Sequence, residues 1–257
     1  LVEEIARIAR AAGDELRRRF SGPRQVEMKG AIDIVTDADR AAEEIILQRL
    51  ASAFPGCPVL AEESGEVRGD GAHALRFLVD PLDGTTNYAH RIPHYSTTLA
   101  AVDATGVLAG VVFDPMRDEM YTAGRGLGAF CNGEQLRVAP PVRLADAVLA
   151  TGFPYDIARQ SEVVVGLLSR FLVSSRAVRR FGSAALDLAW VAQSRYDGYW
   201  ERSLKPWDMA AGILLVTEAG GQVSGFRGEP LDLHAGNCVA AMPGLHVEMV
   251  ALTSPFA

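Results

Sequence analysis

Over the first twenty positions the apolar residues Val2, Ile5, Ile8, Ala9, Ala12, Leu16 and Phe20 fall on one helical face. Arg7, Arg10, Glu15, Arg17 and Arg18 occupy the others. This predicts an amphipathic helix that stops at Ser21-Gly22-Pro23, where Gly takes the C-terminal turn and Pro cannot extend the helix. A second helix is predicted to start near residues 36–39 and run to about Ala53, with Ala42, Ile45, Ile46, Leu47 and Leu50 apolar and Phe54-Pro55-Gly56 ending it. From Arg76 the pattern turns to β-structure. Phe77-Leu78-Val79 reads as a short buried strand running into Asp80. Residues 95–102 and 107–113 read as two more, joined by turn residues 103–106, with another strand at 119–122. The second half mixes strands at 147–153, 175–180 and 198–201, and near Val223 and Val239, with helices at 163–172, 184–193 and 207–219. The order predicts an α/β (α+β) fold of layered elements without clean βαβ alternation.

Composition narrows this picture. The 257 residues suffice for one large core or two closely joined halves, and the chain reads as one domain with a weak boundary at Pro140-Pro141. A balance of 25 Lys+Arg against 32 Asp+Glu, without a basic stripe, gives no reason to expect nucleic-acid or membrane-surface binding. No apolar run approaches the roughly 20 residues a bilayer requires, and charged residues throughout positions 1–20 do not make a signal peptide. Three widely spaced cysteines, Cys57, Cys131 and Cys238, argue against a disulfide framework or a Cys-rich zinc site and fit a cytoplasmic protein.

Four acidic clusters lie where solvated charge has no need to be: Asp33, Asp37 and Asp39 before the second helix; Glu62-Glu63 after an apolar run; Asp80 and Asp83 at the end of a buried strand; and Asp208 at a helix start. Taken singly, Asp39 and Asp208 read as helix caps, Glu62-Glu63 as a solvated loop pair and Asp83-Gly84 as a turn. Together they read as carboxylates sharing one cleft, where a hard cation such as Mg²⁺ relieves their repulsion. Gly84-Thr85-Thr86 then starts a helix whose free N–H groups suit a phosphate. No H-E-x-x-H, G-x-S-x-G or P-loop pattern occurs, which disfavours zinc, serine-hydrolase and P-loop chemistry. Gly124, Gly126 and Gly128 do not link a strand to a helix as a dinucleotide loop would.

At Asp33-Ile34-Val35-Thr36-Asp37-Ala38-Asp39, Ala61-Glu62-Glu63-Ser64, Asp80-Pro81-Leu82-Asp83-Gly84-Thr85-Thr86-Asn87-Tyr88 and Trp207-Asp208-Met209-Ala210-Ala211-Gly212 the chain closely resembles the inositol monophosphatase family of lithium-sensitive, Mg²⁺-dependent phosphatases. The resemblance spans nearly the whole chain. It implies the layered α/β/α/β/α sandwich of the sugar phosphatases, a homodimer, and two or three Mg²⁺ ions per active site. It further implies that Glu62, Asp80, Asp83 and Asp208, with the Leu82 carbonyl, hold metal. Gly84 and Thr85 correspond to the turn that cradles phosphate, and Glu63 and Thr85 to the residues that position the attacking water, with Asp39 holding Thr85. Glu201 corresponds to the contact with inositol or sugar hydroxyls, while Gly182, Ser183, Ala184 and Asp208 border the same substrate. On this view residues 1–140 carry the metal and phosphate site and residues 141–257 the substrate side.

The implied reaction is hydrolysis of a small phosphorylated polyol or sugar by in-line attack of water, with no covalent phosphoenzyme. The Thr85-Thr86-Asn87-Tyr88 form of the loop resembles the inositol monophosphate branch, whereas branches acting on 3′-phosphoadenosine phosphates and histidinol phosphate more often carry Lys at the position of Thr86. Fructose 1,6-bisphosphate is a further candidate. Residues 152–160, with Asp156 and Arg159, are expected to form part of the substrate wall, and Lys205 to attract an anion. Some relatives also bind transcription or ribosomal-RNA maturation machinery, so an interaction module is the alternative of another class.

Overall fold

The computed structural model describes residues 1–257 apart from 24, 31, 32, 68, 70–72 and 141. Helix α1 (Val2–Arg19) buries Ile5, Ile8, Ala12 and Leu16, its predicted apolar face. A small antiparallel hairpin, β1 (Val26–Met28) with β2 (Ile34–Thr36), leads into α2 (Asp37–Ala53). Thr36 caps α2 and Asp39 returns a bond to the Thr36 N–H, a reciprocal box that fixes where the helix begins.

Eight strands follow: β3 (Val59–Ala61), β4 (Gly65–Val67), β5 (Arg76–Asp83), β6 (Ser96–Asp103), β7 (Gly106–Asp114), β8 (Glu119–Gly124), β9 (Gly128–Cys131) and β10 (Glu134–Gln135), with the short helix α3 (Thr85–Ala89) after β5. They form one sheet in the order β10-β9-β8-β7-β6-β5-β3-β4, antiparallel except where β3 runs parallel to β5. The remaining elements are β11 (Val148–Thr151), α4 (Ile157–Ser174), β12 (Ala177–Arg179), α5 (Ala184–Ala192), β13 (Gly198–Glu201), α6 (Pro206–Glu218), β14 (Gln222–Ser224), β15 (Cys238–Ala241) and α7 (Leu245–Thr253). Their strands make a second sheet, β12-β11-β13-β15-β14.

Period-two alternation decides the layering. Phe77, Val79, Leu99, Ala101, Val111 and Phe113 face α1 and α2, whereas Leu78, Ala100 and Val112 face α5 and α6. In the second sheet Ala150, Tyr199, Cys238 and Ala240 join the same α5–α6 core, and Leu149, Trp200, Val239 and Ala241 pack with Leu167 and Phe171 of α4 and Leu245 and Met249 of α7. Helix pair, sheet, helix pair, sheet, helix pair: this is the expected five-layered sandwich.

Several boundaries differ from the sequence reading. Strand β5 continues through Pro81 because the ladder to β6 is interrupted between Asp80 and Asp83, and an interrupted ladder tolerates a missing N–H. Helix α4 begins at Ile157 rather than 163; none of residues 157–162 is buried, and they add nothing to the apolar face. Three features carried no clear pattern: the β1–β2 hairpin; the exposed Gly65-Glu66-Val67 of β4; and α7, which is apolar on more than one side. Pro141, half of the expected boundary, lies outside the described residues. Among the described residues, no helix is long and apolar enough to cross a membrane.

Candidate active site

The cleft, of about 480 Å³, opens between the end of β5, the start of α5, the end of β13 and the start of α6. A volume of this order suits a small ligand. Each element end delivers a carboxylate. The break in β5 turns Asp80 and Asp83 to the same side, and both line the cleft with Leu82 between them. Asp80 is 2% exposed and accepts from the Leu82 N–H at 2.9 Å. Asp83 accepts from Ser183 Oγ at 2.6 Å and the Ala185 N–H at 2.8 Å, so the first turn of α5 is tied directly to it. Glu62 follows β3, its N–H bonded to the Val79 carbonyl, and Asp208 accepts from the Lys205 N–H at 2.7 Å. Asp208 is thus both a helix cap and a cleft carboxylate.

Burial is the main force on these groups. It raises Asp80 well above the usual carboxylate range, reinforced by Glu62, Asp83 and Asp208. It pushes Asp83 up to about 6 against the bonds from Ser183 and Ala185, and lifts Asp208 as well. Such a set is short of positive charge. Lys29, on the loop after β1, supplies some: Nζ lies 3.0 Å from Glu62 Oε1 and also bonds Glu63. Burial opposes the charge on Lys29, but the two glutamates outweigh it and raise its pKa.

Gly84 has φ +95°, and a Cβ there would sit 3.1 Å from the His94 carbonyl and 3.2 Å from that of Gly182, so glycine alone fits comfortably. The Thr85 hydroxyl lies 3.1 Å from Asp39 Oδ1 and 3.0 Å from the Leu82 carbonyl, two acceptors competing for its one proton. Asp39 is fully buried behind Thr85, where burial raises it to about 6 despite bonds from Thr36 and Thr85. Glu63 is lifted by burial to about 7, with the Lys29 bond pulling it back, and its N–H is held by Glu43 at 3.0 Å. On the opposite wall Glu201 accepts from the Tyr199 hydroxyl, and burial raises it to about 7. A Cβ at Gly152 would overlap the Glu201 carboxylate, so the side chain occupies space that only glycine leaves open.

The sequence-selected residues Glu62, Asp80, Leu82, Asp83, Gly84, Thr85, Gly182, Ser183, Ala184, Glu201 and Asp208 all line this cleft. Glu63 and Asp39 do not; they stand behind it, against Lys29 and Thr85. Of the expected wall at 152–160, Gly152, Phe153, Pro154, Tyr155 and Ile157 border the cleft. Asp156 instead accepts from Gln160 on α4, and neither it nor Arg159 borders the cleft. Lys205 does line it. Lys29, Arg180 and Asp187 also line it and were not singled out. Among the described residues, no three Asp, Glu, His or Cys side chains form a ready-made metal cage. The donors are hard oxygens under mutual repulsion, of which Glu62 is paired with the Lys29 ammonium, and such a set suits a hard cation.

A model of the inositol monophosphatase family matches residues 2–255. The chain is 41% identical over 247 residues to the Nus factor SuhB of Escherichia coli K12, covering 95% of this chain and 92% of that protein. It is 46% identical over 231 residues to the inositol-1-monophosphatase of Rhizobium meliloti, covering 89% and 86%. Among solved structures, the extragenic suppressor protein suhB of Bartonella henselae superposes with a TM-score of 0.94 at 40% identity over 98% of this chain and 97% of that one.

Proposed function

The chain belongs to the inositol monophosphatase family, and from that premise we propose a Mg²⁺-dependent enzyme that hydrolyses myo-inositol monophosphate to inositol and inorganic phosphate. Membership carries the coarser statement, a phosphatase role in a family that generally depends on metal. The observation that carries the finer reading is the convergence of Glu62, Asp80, Asp83 and Asp208 on one cleft beside Thr85.

In this reading those four carboxylates and the Leu82 carbonyl, which accepts from Thr85 and has capacity for a second partner, would hold the metal. When bound, Mg²⁺ supplies Lewis acidity, acidifying water and neutralising charge on the phosphoryl and leaving oxygens. The chain's own groups do the positioning. Thr85, anchored by Asp39, presents a hydroxyl oxygen that orients the attacking water. Glu63, bonded to Lys29 behind the cleft, would help to position that water. Gly84 admits the phosphate close to the backbone because no Cβ stands there, and Ser183 and Ala185 keep Asp83 in place. Glu201, on the far wall, binds hydroxyls of the leaving group. We assign these roles within one domain over 1–257, acting as a homodimer.

Phosphate release from myo-inositol 1-phosphate, fructose 1,6-bisphosphate, 3′-phosphoadenosine 5′-phosphate and histidinol phosphate, in Mg²⁺ with and without Li⁺, tests the substrate. Preference for inositol 1-phosphate and inhibition by Li⁺ are expected; preference for another ester overturns the substrate while leaving the phosphatase role. The likeness to a Nus factor favours a second reading, partner binding in transcription. A stoichiometric partner recovered equally by wild type and Asp83→Asn, with or without Mg²⁺, supports it.

A further inference from the structure

Asp187 is a buried carboxylate of the cleft that the reaction above does not use. It sits in the first turn of α5, is 1% exposed, and lines the cleft. The carboxylates placed in the reaction have protein partners: Asp39 has Thr36 and Thr85, Glu62 has Lys29, Asp80 has the Leu82 N–H, Asp83 has Ser183 and Ala185, Glu201 has Tyr199, and Asp208 has the Lys205 N–H. Among the described residues Asp187 Oδ1 is the one carboxylate oxygen that is buried without a hydrogen-bond partner. Native folds rarely leave such an atom unless a ligand or an ordered water completes it.

Its surroundings indicate what kind of ligand. Glu201, Asp83 and Arg180 are the charged groups that act on Asp187, and Arg180 also lines the cleft. Burial, then Glu201 and Asp83, raises Asp187 well above the usual carboxylate range. A carboxyl whose charge is disfavoured by burial suits an uncharged polar partner better than a cation, and its unpaired oxygen is one that an alcohol can complete. Glu201, its Oε2 engaged by Tyr199, lies on the same wall. We infer that Asp187 and Glu201 together read hydroxyl groups on the substrate, restricting the cleft to phosphates carried on polyols and rejecting those carried on bare hydrocarbon. This deepens, and rests on, the phosphatase reading. The rejection arises because an apolar leaving group would cover both carboxyls without pairing them.

The test compares kcat/KM for myo-inositol 1-phosphate with that for cyclohexyl phosphate, which keeps the ring and lacks the hydroxyls, in Mg²⁺. Asp187→Leu is expected to lower the ratio of the two at least tenfold, chiefly through KM for the inositol ester. Asp187→Asn, which retains one acceptor and one donor group, recovers most of it. Should Asp187→Leu fail to fold, Asp187→Ala is read against Asp187→Asn in the same way. An unchanged ratio, or equal losses on both esters accompanied by a lower Tm, overturns the inference and makes Asp187 a structural or water-bound group. Wild type that hydrolyses neither ester would instead overturn the phosphatase reading, and this inference with it.

Discussion

Asp83→Asn separates stability from activity in opposite directions. Asparagine has the same shape, and its carbonyl oxygen can still accept from Ser183 Oγ and the Ala185 N–H, so the local fold is retained. The charge is what changes. Burial raises Asp83 from 3.8 to about 6, so the fold holds its proton more tightly than the unfolded chain does. Stability therefore falls as pH rises from about 4 through 6, and at neutral pH the ionised group costs about 3 kcal/mol without metal. Replacing it removes that cost, and for a domain of this size about 3 kcal/mol corresponds to roughly 5–10 °C in Tm. In EDTA, then, Asp83→Asn should melt several degrees above wild type by differential scanning calorimetry at pH 7. In saturating Mg²⁺ the order reverses in function: loss of one carboxylate proposed to hold the metal should reduce phosphate release by ~10³-fold or more. A variant that melts lower than wild type in EDTA, or keeps near-normal turnover at saturating Mg²⁺, would refute the reasoning.

Two further changes probe other parts of the site. Gly152→Ala forces a Cβ into the Glu201 carboxylate and should raise KM for inositol 1-phosphate about tenfold while kcat changes little, as steady-state kinetics would reveal. An equal fall in kcat would instead place Glu201 in the chemical step. Away from the cleft, burial and then Arg117 lower His94 from 6.5 to about 4, between the Phe181 and Trp190 rings. The unfolded chain binds that proton first, so wild type should lose on the order of 3 kcal/mol between pH 6.5 and 4 through this one group. In denaturant titrations across that range His94→Phe should gain on wild type by about that amount as pH falls; parallel curves would show that His94 is not held neutral.

Much of the site was legible because local chemistry and position coincide there. Asp80 and Asp83 flank a proline at the end of an apolar strand, and that pattern requires a break in the ladder; the break is what turns both carboxylates to one side. Thr36 and Asp39 spell a helix cap, and the same carboxylate then reaches Thr85, 46 residues away, which no spacing rule could show. Lys29 carries no local signature at all. Its role depends on where the β1–β2 hairpin lays the loop against Glu62 and Glu63, a tertiary outcome. Asp187 has the opposite difficulty: an acid in the first turn of a helix has a sufficient local explanation, which hides its position in the cleft. The five layers were expected from the family resemblance alone; in the structure, alternation in β5, β6 and β7 sends the two faces of the sheet to different helix pairs. Helix α7 was missed because it has no single polar face to betray its period.

Metal-dependent hydrolysis of a phosphate monoester at the Asp83 cleft is tested most directly by one assay. Phosphate release from myo-inositol 1-phosphate is followed in Mg²⁺, after EDTA, and after Mg²⁺ is restored. Turnover that disappears with EDTA and returns with Mg²⁺ is the result expected. Release that continues undiminished in EDTA, or is absent in every condition, would contradict it.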